Sequence, residues 1–339
     1  MKAAVTDGKG NLMVQEVPRP IVGPYQALVK NLACAICNGT DTKIIDGQLF
    51  FVSPSQYPAI LGHESVGQVV EVGSKVRKFK VGDVVLRTTT VVEGLHSLWG
   101  GFAEFALVAD AEAAGIMANT IPGPQVWAMQ QKVPHEIDPV EATILVTLKE
   151  CYSSLKNLYA LPGSSLLVTG TGPVAQAFVR LAPLVGFKRV VGAGRRPEAL
   201  ELLMNMGAEQ VFNLSNGNVV EQIRAYFGGR GVDYAVDTTD AFHVIDCAAR
   251  VLASGGRVGV YGVAPSASRA PMPEPPPGTA VARLNPNEAA AHEDVLRLIR
   301  SGKVTLKEFI SDVMPLEEIT EAIHRIHSRE ASKIVITFC

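Results

Sequence analysis

Apolar residues recur along this chain with two different periods, and the change of period divides it. Up to about residue 110 they come in short runs split by Gly and Pro, at 27–30, 65–72, 83–86 and 102–108. Each run has the length of a strand bounded by turn residues, and the opening Met1-Lys2-Ala3-Ala4-Val5 reads as a first strand. This spacing predicts a partly open β-barrel. Residues 111–140 show no clear period and hold several prolines, which predicts a crossing loop. From 139 to 159 the pattern turns helical, with Ile144, Leu148, Cys151, Leu155 and Leu158 on one stripe.

The stretch 165–197 carries the clearest signal. An apolar run (Leu166, Leu167, Val168) leads into Gly170-Thr171-Gly172-Pro173-Val174-Ala175, a helical pattern follows and ends at Gly186, and a second apolar run starts at Val190. The unit is strand, turn, helix, strand, with later strands at 233–237 and 257–263. The turn fits the dinucleotide fingerprint G-x-G-x-x-G/A: Gly170 for the tight turn, Gly172 for approach of backbone to a pyrophosphate, Ala175 for close helix–strand packing. Pro173 sits in the first helical turn, where a missing N–H costs nothing, with Val174 behind it. An ordinary tight turn before a helix is the plainer alternative, and the flanking strands weigh against it. About 20 residues past the turn, NAD-preferring folds place an acid for the ribose hydroxyls. Here Gly194-Arg195-Arg196 stands instead. A glycine leaves room for a phosphate and two guanidiniums can grip it; helix starts otherwise favour acids. The expectation is NADP(H), against two solvated arginines opening a helix.

Composition narrows the class. The 339 residues are long enough for two domains, and 47% hydrophobic with 19% charged content fits a packed globular chain. A net charge of −2 and the absence of long basic runs argue against a nucleic-acid partner. No apolar stretch reaches the roughly 18 residues of a membrane span, and the N-terminus lacks a signal peptide's apolar core. Five cysteines, Cys34, Cys37, Cys151, Cys247 and Cys339, form no disulfide framework, so a reduced, cytoplasmic protein is expected.

Five segments in order resemble the medium-chain dehydrogenase/reductase superfamily, in particular its zinc-dependent alcohol and polyol dehydrogenases. They are Ala33-Cys34-Ala35-Ile36-Cys37 with Thr40-Asp41, Gly62-His63-Glu64, Gly100-Gly101-Phe102-Ala103-Glu104, the fingerprint turn, and Gly255-Gly256-Arg257-Val258. The resemblance implies an α/β chain with a GroES-like, partly open β-barrel catalytic domain at 1–158 and 289–339. It implies a Rossmann doubly wound parallel sheet at 159–288. It also implies a homodimer or homotetramer, with nucleotide sheets joined edge to edge through a last strand near 257–263. Residues 265–286 are read as irregular, at the place of the family's main dimer contact.

Oxidising an alcohol requires its hydroxyl to lose a proton as the hydride leaves, and an open zinc site can promote that. The resemblance places Cys37 and His63 at the family's zinc positions. Its third ligand falls on Val146, which cannot bind metal, so Glu64 is expected to bind directly. Glu150, one helical turn after Val146, could complete the site, act as an acid/base, or simply be solvated. Thr40 could pass a proton towards the cofactor ribose; Lys43 could finish that relay, contact phosphate, or lie solvated. Asp41 is expected to orient the shell around the metal. Residues 86–110 lack the four cysteines of the family's structural zinc, so one catalytic zinc is the ceiling. The resulting expectation is a hydride transfer between NADP(H) and a secondary alcohol or polyol and its ketone. The alternatives are a zinc-free NADPH-dependent quinone or enone reductase on the same fold and a non-catalytic NADPH-binding protein.

Overall fold

A computed structural model describes residues 1–115, 124–265 and 271–338. Of the stretches read above, 116–123 of the expected loop, 266–270 of the expected irregular segment and Cys339 lie outside the described residues. The chain divides into two compact units, residues 1–146 with 305–339, and residues 147–304.

The first unit is built on the strand Gln26–Ala35, which lies in the middle of a seven-stranded sheet. Along one edge it pairs antiparallel with Glu64–Val72. Its other edge is shared: Phe105–Ala109 pairs with residues 26–30 and Ile334–Thr337 with residues 33–35. The exchange happens at Asn31, fully buried beside a register shift. A buried amide must find partners, and Asn31 does so, donating to the carbonyls of Gly101 (3.2 Å) and Ala103 (2.6 Å) and accepting from Thr88 Oγ1 (2.8 Å). A second, four-stranded sheet holds Lys2–Thr6 between Leu12–Glu16 and Ala59–Ile60. The sheets form the open, GroES-like arrangement expected, with no closed barrel among the described residues.

The second unit is one parallel sheet of six strands. In space they run Gln210–Asn213, Arg189–Gly194, Ser165–Thr169, Val232–Asp237, Leu252–Val260, Ala280–Arg283. This is the dinucleotide-fold order, in which the chain starts in the middle and winds outward both ways. Ser165–Thr169 is buried at every position, as a strand covered on both faces must be. The helix Pro173–Leu181 continues as a 3-10 turn, Ala182–Val185, and stops at Gly186 in the left-handed conformation (φ 105°) that favours glycine.

Three expectations need correction. The outer edge of the parallel sheet is not the strand near 257–263, because Ala280–Arg283 pairs outside it. For the same reason 265–286 is not irregular throughout. The 111–140 stretch holds a helix, Pro124–Met129, and a short strand, Lys132–Val133. The expected domain limits, 158 and 289, and those of the compact units, 146 and 304, differ by two helices, Ile144–Lys156 and His292–Arg300. The second lies wholly and the first mostly in the second unit, where the first is tied down: Lys149 Nζ lies 2.9 Å from Glu288 Oε1, with side chains 0% and 1% exposed, and Asn157, just past it, donates to the Asn285 carbonyl. No helix of the described residues is long and apolar enough to cross a membrane.

Candidate active site

Three strand ends meet where the central strand of the first unit stops. Ala35 stands opposite Glu64 on one side and Val335 on the other, and the Ile36 N–H donates to the Ile334 carbonyl. Sheet register therefore sets Cys37, just past one strand, beside His63-Glu64 at the start of the second and Lys333 just before the third. The ligand atoms of Cys37, His63 and Glu64 all lie within 4.8 Å of one another, and no other such trio of His, Cys, Asp or Glu occurs among the described residues. With bonds of about 2.0–2.3 Å, donor atoms of a tetrahedral zinc stand about 3.3–3.8 Å apart. A thiolate, an imidazole and a carboxylate are ligands zinc accepts, so this set fits the ion after a small contraction.

The groups behind the trio are specific. Asp41, fully buried, receives the Cys37 N–H (2.8 Å) on one oxygen and lies 3.2 Å from His63 Nδ1 with the other. A carboxylate behind Nδ1 makes that nitrogen the donor, so Nε2 is the nitrogen left for a metal ion that displaces its proton. Burial works against a charged His63, but the Asp41 charge and hydrogen bond, then Cys37, outweigh it and hold the imidazole pKa well above the ordinary value. Arg87 Nη1 donates to the His63 carbonyl (3.0 Å). Lys333 Nζ lies 2.6 Å from Glu64 Oε2, each side chain 3% exposed. Burial alone would lower the Lys333 pKa; the charges of Glu64 and then Cys37 raise it instead.

The remaining expected residues fall as follows. Thr40 caps the short helix Asp41–Ile45, its N–H donating to the Cys37 carbonyl (3.1 Å), without a side-chain capping bond. The Lys43 ammonium bonds the Gly39 carbonyl of its own turn. Val146 is fully buried. Glu150 belongs to the second unit, is half-buried, and accepts a hydrogen bond from the Tyr261 hydroxyl at 2.5 Å. Tyr261 directly follows the strand Leu252–Val260, and its ring meets Phe178 edge to face at 5.2 Å. The Glu150 helix also touches the fingerprint helix, where Cys151 Sγ lies 3.8 Å from the Val174 carbonyl.

The glycines of the fingerprint have different duties. Gly170 has φ 106°, and a Cβ there would stand 2.0 Å from Thr238 Oγ1, so it serves the turn itself. Gly172 has ordinary extended geometry, and a Cβ there would meet nothing within 4 Å. Open space before the N–H groups of a helix is where a phosphate fits, so a dinucleotide suits this turn. Ala175 is fully buried. A Cβ at Gly194 would press on Thr171 Cγ2 at 2.3 Å, so packing against the turn already requires this glycine. Arg195 is exposed, and Arg196 is the N-cap of Pro197–Asn205, 3.7 Å from Glu198 Oε1. Asp237, at the adjacent strand end, accepts from Thr169 Oγ1, Thr239 Oγ1 and the N–H groups of Thr239 and Asp240. Burial outweighs these bonds and raises its pKa.

Sequence reasoning missed Lys333, Tyr261 and Asp237. For Lys333 one local signal existed, a lysine opening the apolar run Ile334-Val335-Ile336.

Residues 23–118 match the alcohol dehydrogenase GroES-like domain and residues 173–284 the zinc-binding dehydrogenase domain, together more than half of the chain. An NADP-dependent isopropanol dehydrogenase of Thermoanaerobacter brockii is 29% identical over 269 residues, covering 76% of this chain and 73% of its own. Sorbitol dehydrogenase of Bacillus subtilis is 25% identical over 342 residues, covering 96% and 93%. Among solved structures, alcohol dehydrogenase TADH from Thermus sp. ATN1 shares the fold over 100% of both chains, with a TM-score of 0.83 at 24% identity.

Proposed function

Since this chain belongs to the medium-chain dehydrogenase/reductase superfamily, in its zinc-dependent alcohol dehydrogenase-like family, we propose that it transfers a hydride between NADP(H) and a secondary alcohol or polyol and its ketone. The observation that carries this reading is the gathering of Cys37, His63 and Glu64 within 4.8 Å, with Asp41 behind the imidazole. When bound, zinc would supply Lewis acidity at the substrate oxygen and the nicotinamide a hydride acceptor. Cys37, His63 and Glu64 would hold the ion, and Asp41 would fix the His63 ring through Nδ1, leaving Nε2 as the ligand atom. Thr40 takes the proton that the alcohol releases and passes it outward. Glu150, held by Tyr261, offers a carboxylate to a substrate hydroxyl or a proton. Residues Gly170 to Ala175 would seat the pyrophosphate, and Arg195 with Arg196 would grip a ribose phosphate, in keeping with the NADP dependence of the isopropanol dehydrogenase. One zinc per subunit, a homodimer or homotetramer and a cytoplasmic location belong to the same reading.

Two observations favour a second reading, a zinc-free NADPH-dependent quinone or enone reductase: position 146 is valine, and a Glu64 oxygen is already held by Lys333. Metal analysis of protein purified without chelator, with turnover on a panel of alcohols and quinones, separates the two. The first reading expects close to one zinc per subunit, with zinc and alcohol turnover both lost in Cys37→Ala and His63→Ala. Zinc-free protein with full activity would reject it.

A further inference from the structure

Beside the trio runs a line of aromatic rings that the chemistry above does not use. The Trp99 indole lies 5.2 Å from the His63 ring, Phe51 lies 6.2 Å from Trp99, and Phe50 lies 5.0 Å from Phe51, centroid to centroid. Phe50 and Phe51 keep 42% and 53% of their surface exposed. The line therefore leads from the candidate ligand His63 to solvent.

The Trp99 backbone is held in an unusual conformation. Its φ is 68°, a left-handed value uncommon for a bulky residue. It persists because its carbonyl accepts from the Thr90 N–H (3.1 Å) and Ser97 Oγ (3.3 Å), while two residues on the Gly101 N–H donates to the Gly62 carbonyl (2.7 Å). That last bond anchors the Trp99 segment to the residue before His63. Strained residues held this firmly concentrate where a side chain must be aimed.

Resting on the alcohol dehydrogenase reading, we infer that the preferred substrate carries an aryl or similarly large apolar group on its carbinol carbon, seated on Trp99 and Phe51. Two phenylalanine rings and an indole offer one N–H between them, too few partners for the several hydroxyls of a polyol. A polyol placed there would leave hydroxyls without the hydrogen bonds they had in water, a discrimination on the order of 10- to 100-fold for an apolar wall. An aromatic substituent instead covers apolar surface and can pack edge to face on the indole.

The test compares 1-phenylethanol, 2-propanol, 2,3-butanediol and sorbitol with NADP+. It also follows Trp99 fluorescence during titration with acetophenone and acetone, on a Trp127→Phe background that leaves Trp99 as the one remaining tryptophan. The expected kcat/KM is at least roughly tenfold higher for 1-phenylethanol than for the other three. In Trp99→Ala that ratio should collapse through KM for the aryl substrate, and Trp99→Phe should restore most of it. Acetophenone should quench Trp99 at far lower concentration than acetone. Equal or better kcat/KM on sorbitol or butanediol overturns the inference, as does an aryl preference that survives in Trp99→Ala. If no alcohol is oxidised, the dehydrogenase reading itself fails. The fluorescence then decides on the wall alone: selective quenching by acetophenone retains it as an apolar-ligand site, and equal response to both ketones overturns it.

Discussion

Removing Lys333 tests whether Glu64 is a metal ligand. Lys333→Met keeps the aliphatic stem and deletes the charge, leaving the Glu64 carboxylate in a site where both side chains were 3% exposed. At 2.6 Å the gross attraction is about 6 kcal/mol for an effective dielectric constant near 20. Much of that is offset by desolvation, and breaking a buried pair from one side costs about 3–5 kcal/mol. Metal-free Lys333→Met should therefore lose that much stability in urea unfolding, and Glu64→Gln/Lys333→Met should recover most of it. Zinc adds the decisive comparison. If Glu64 ligates the ion, zinc compensates the stranded charge, so at one zinc concentration, a hundredfold above the wild-type Kd, Lys333→Met should be stabilised by at least about 1 kcal/mol more than the roughly 2.7 kcal/mol expected for wild type. Equal stabilisation of the two proteins would remove Glu64 from the ligand set. A loss under 1 kcal/mol in metal-free Lys333→Met, or no recovery in the double variant, would refute the buried-pair argument.

Glu150→Gln should lower kcat by at least about tenfold, roughly 1.4 kcal/mol of barrier, with NADPH affinity nearly unchanged; steady-state kinetics with wild-type turnover would leave the Glu150–Tyr261 pair structural. Arg195→Ala/Arg196→Ala should weaken NADPH binding by the roughly 1.5–3 kcal/mol of a charge-assisted hydrogen bond and spare NADH, as read by calorimetry. The fingerprint glycines should separate: Gly170→Ala, at φ 106° and against Thr238, should destabilise the fold by about 1–3 kcal/mol. Gly172→Ala should fold normally and weaken NADPH binding at least about tenfold by occupying the phosphate's space, as fluorescence titration would show. Asp237, whose folded pKa is raised above 3.8 by burial, contributes most below its unfolded pKa and loses stability as pH rises through the folded one. Asp237→Asn, which also gives up part of this acceptor set, should remove that dependence, so its stability relative to wild type should rise between about pH 4 and pH 7; a difference between the two proteins that stays constant with pH in urea titrations would contradict this.

What could be read without coordinates was what neighbouring residues decide among themselves. The strand, turn and helix at Ser165–Leu181 follow from an apolar run, a glycine that must take φ 106° and a proline where no N–H is needed. The Arg195-Arg196 signal and the Cys37 and His63-Glu64 motifs are local in the same sense. Strand pairing is not local. Lys333 stands 269 residues from Glu64, and only the register of Ile334–Thr337 against Gln26–Ala35 brings them to 2.6 Å. Tyr261 reaches Glu150, 111 residues away, because one follows a sheet strand and the other lies on a helix packed beside the fingerprint. The outer strand Ala280–Arg283 was invisible because its proline-rich flanks carry no period, and its strand conformation comes from the hydrogen bonds that Leu252–Val260 offers it. Backbone preference and side-chain period act over a few residues and can be read from them. The charge partner of a buried carboxylate, the ring beside a metal ligand and the edge of a sheet depend on which distant segments pair, and only the folded chain decides that.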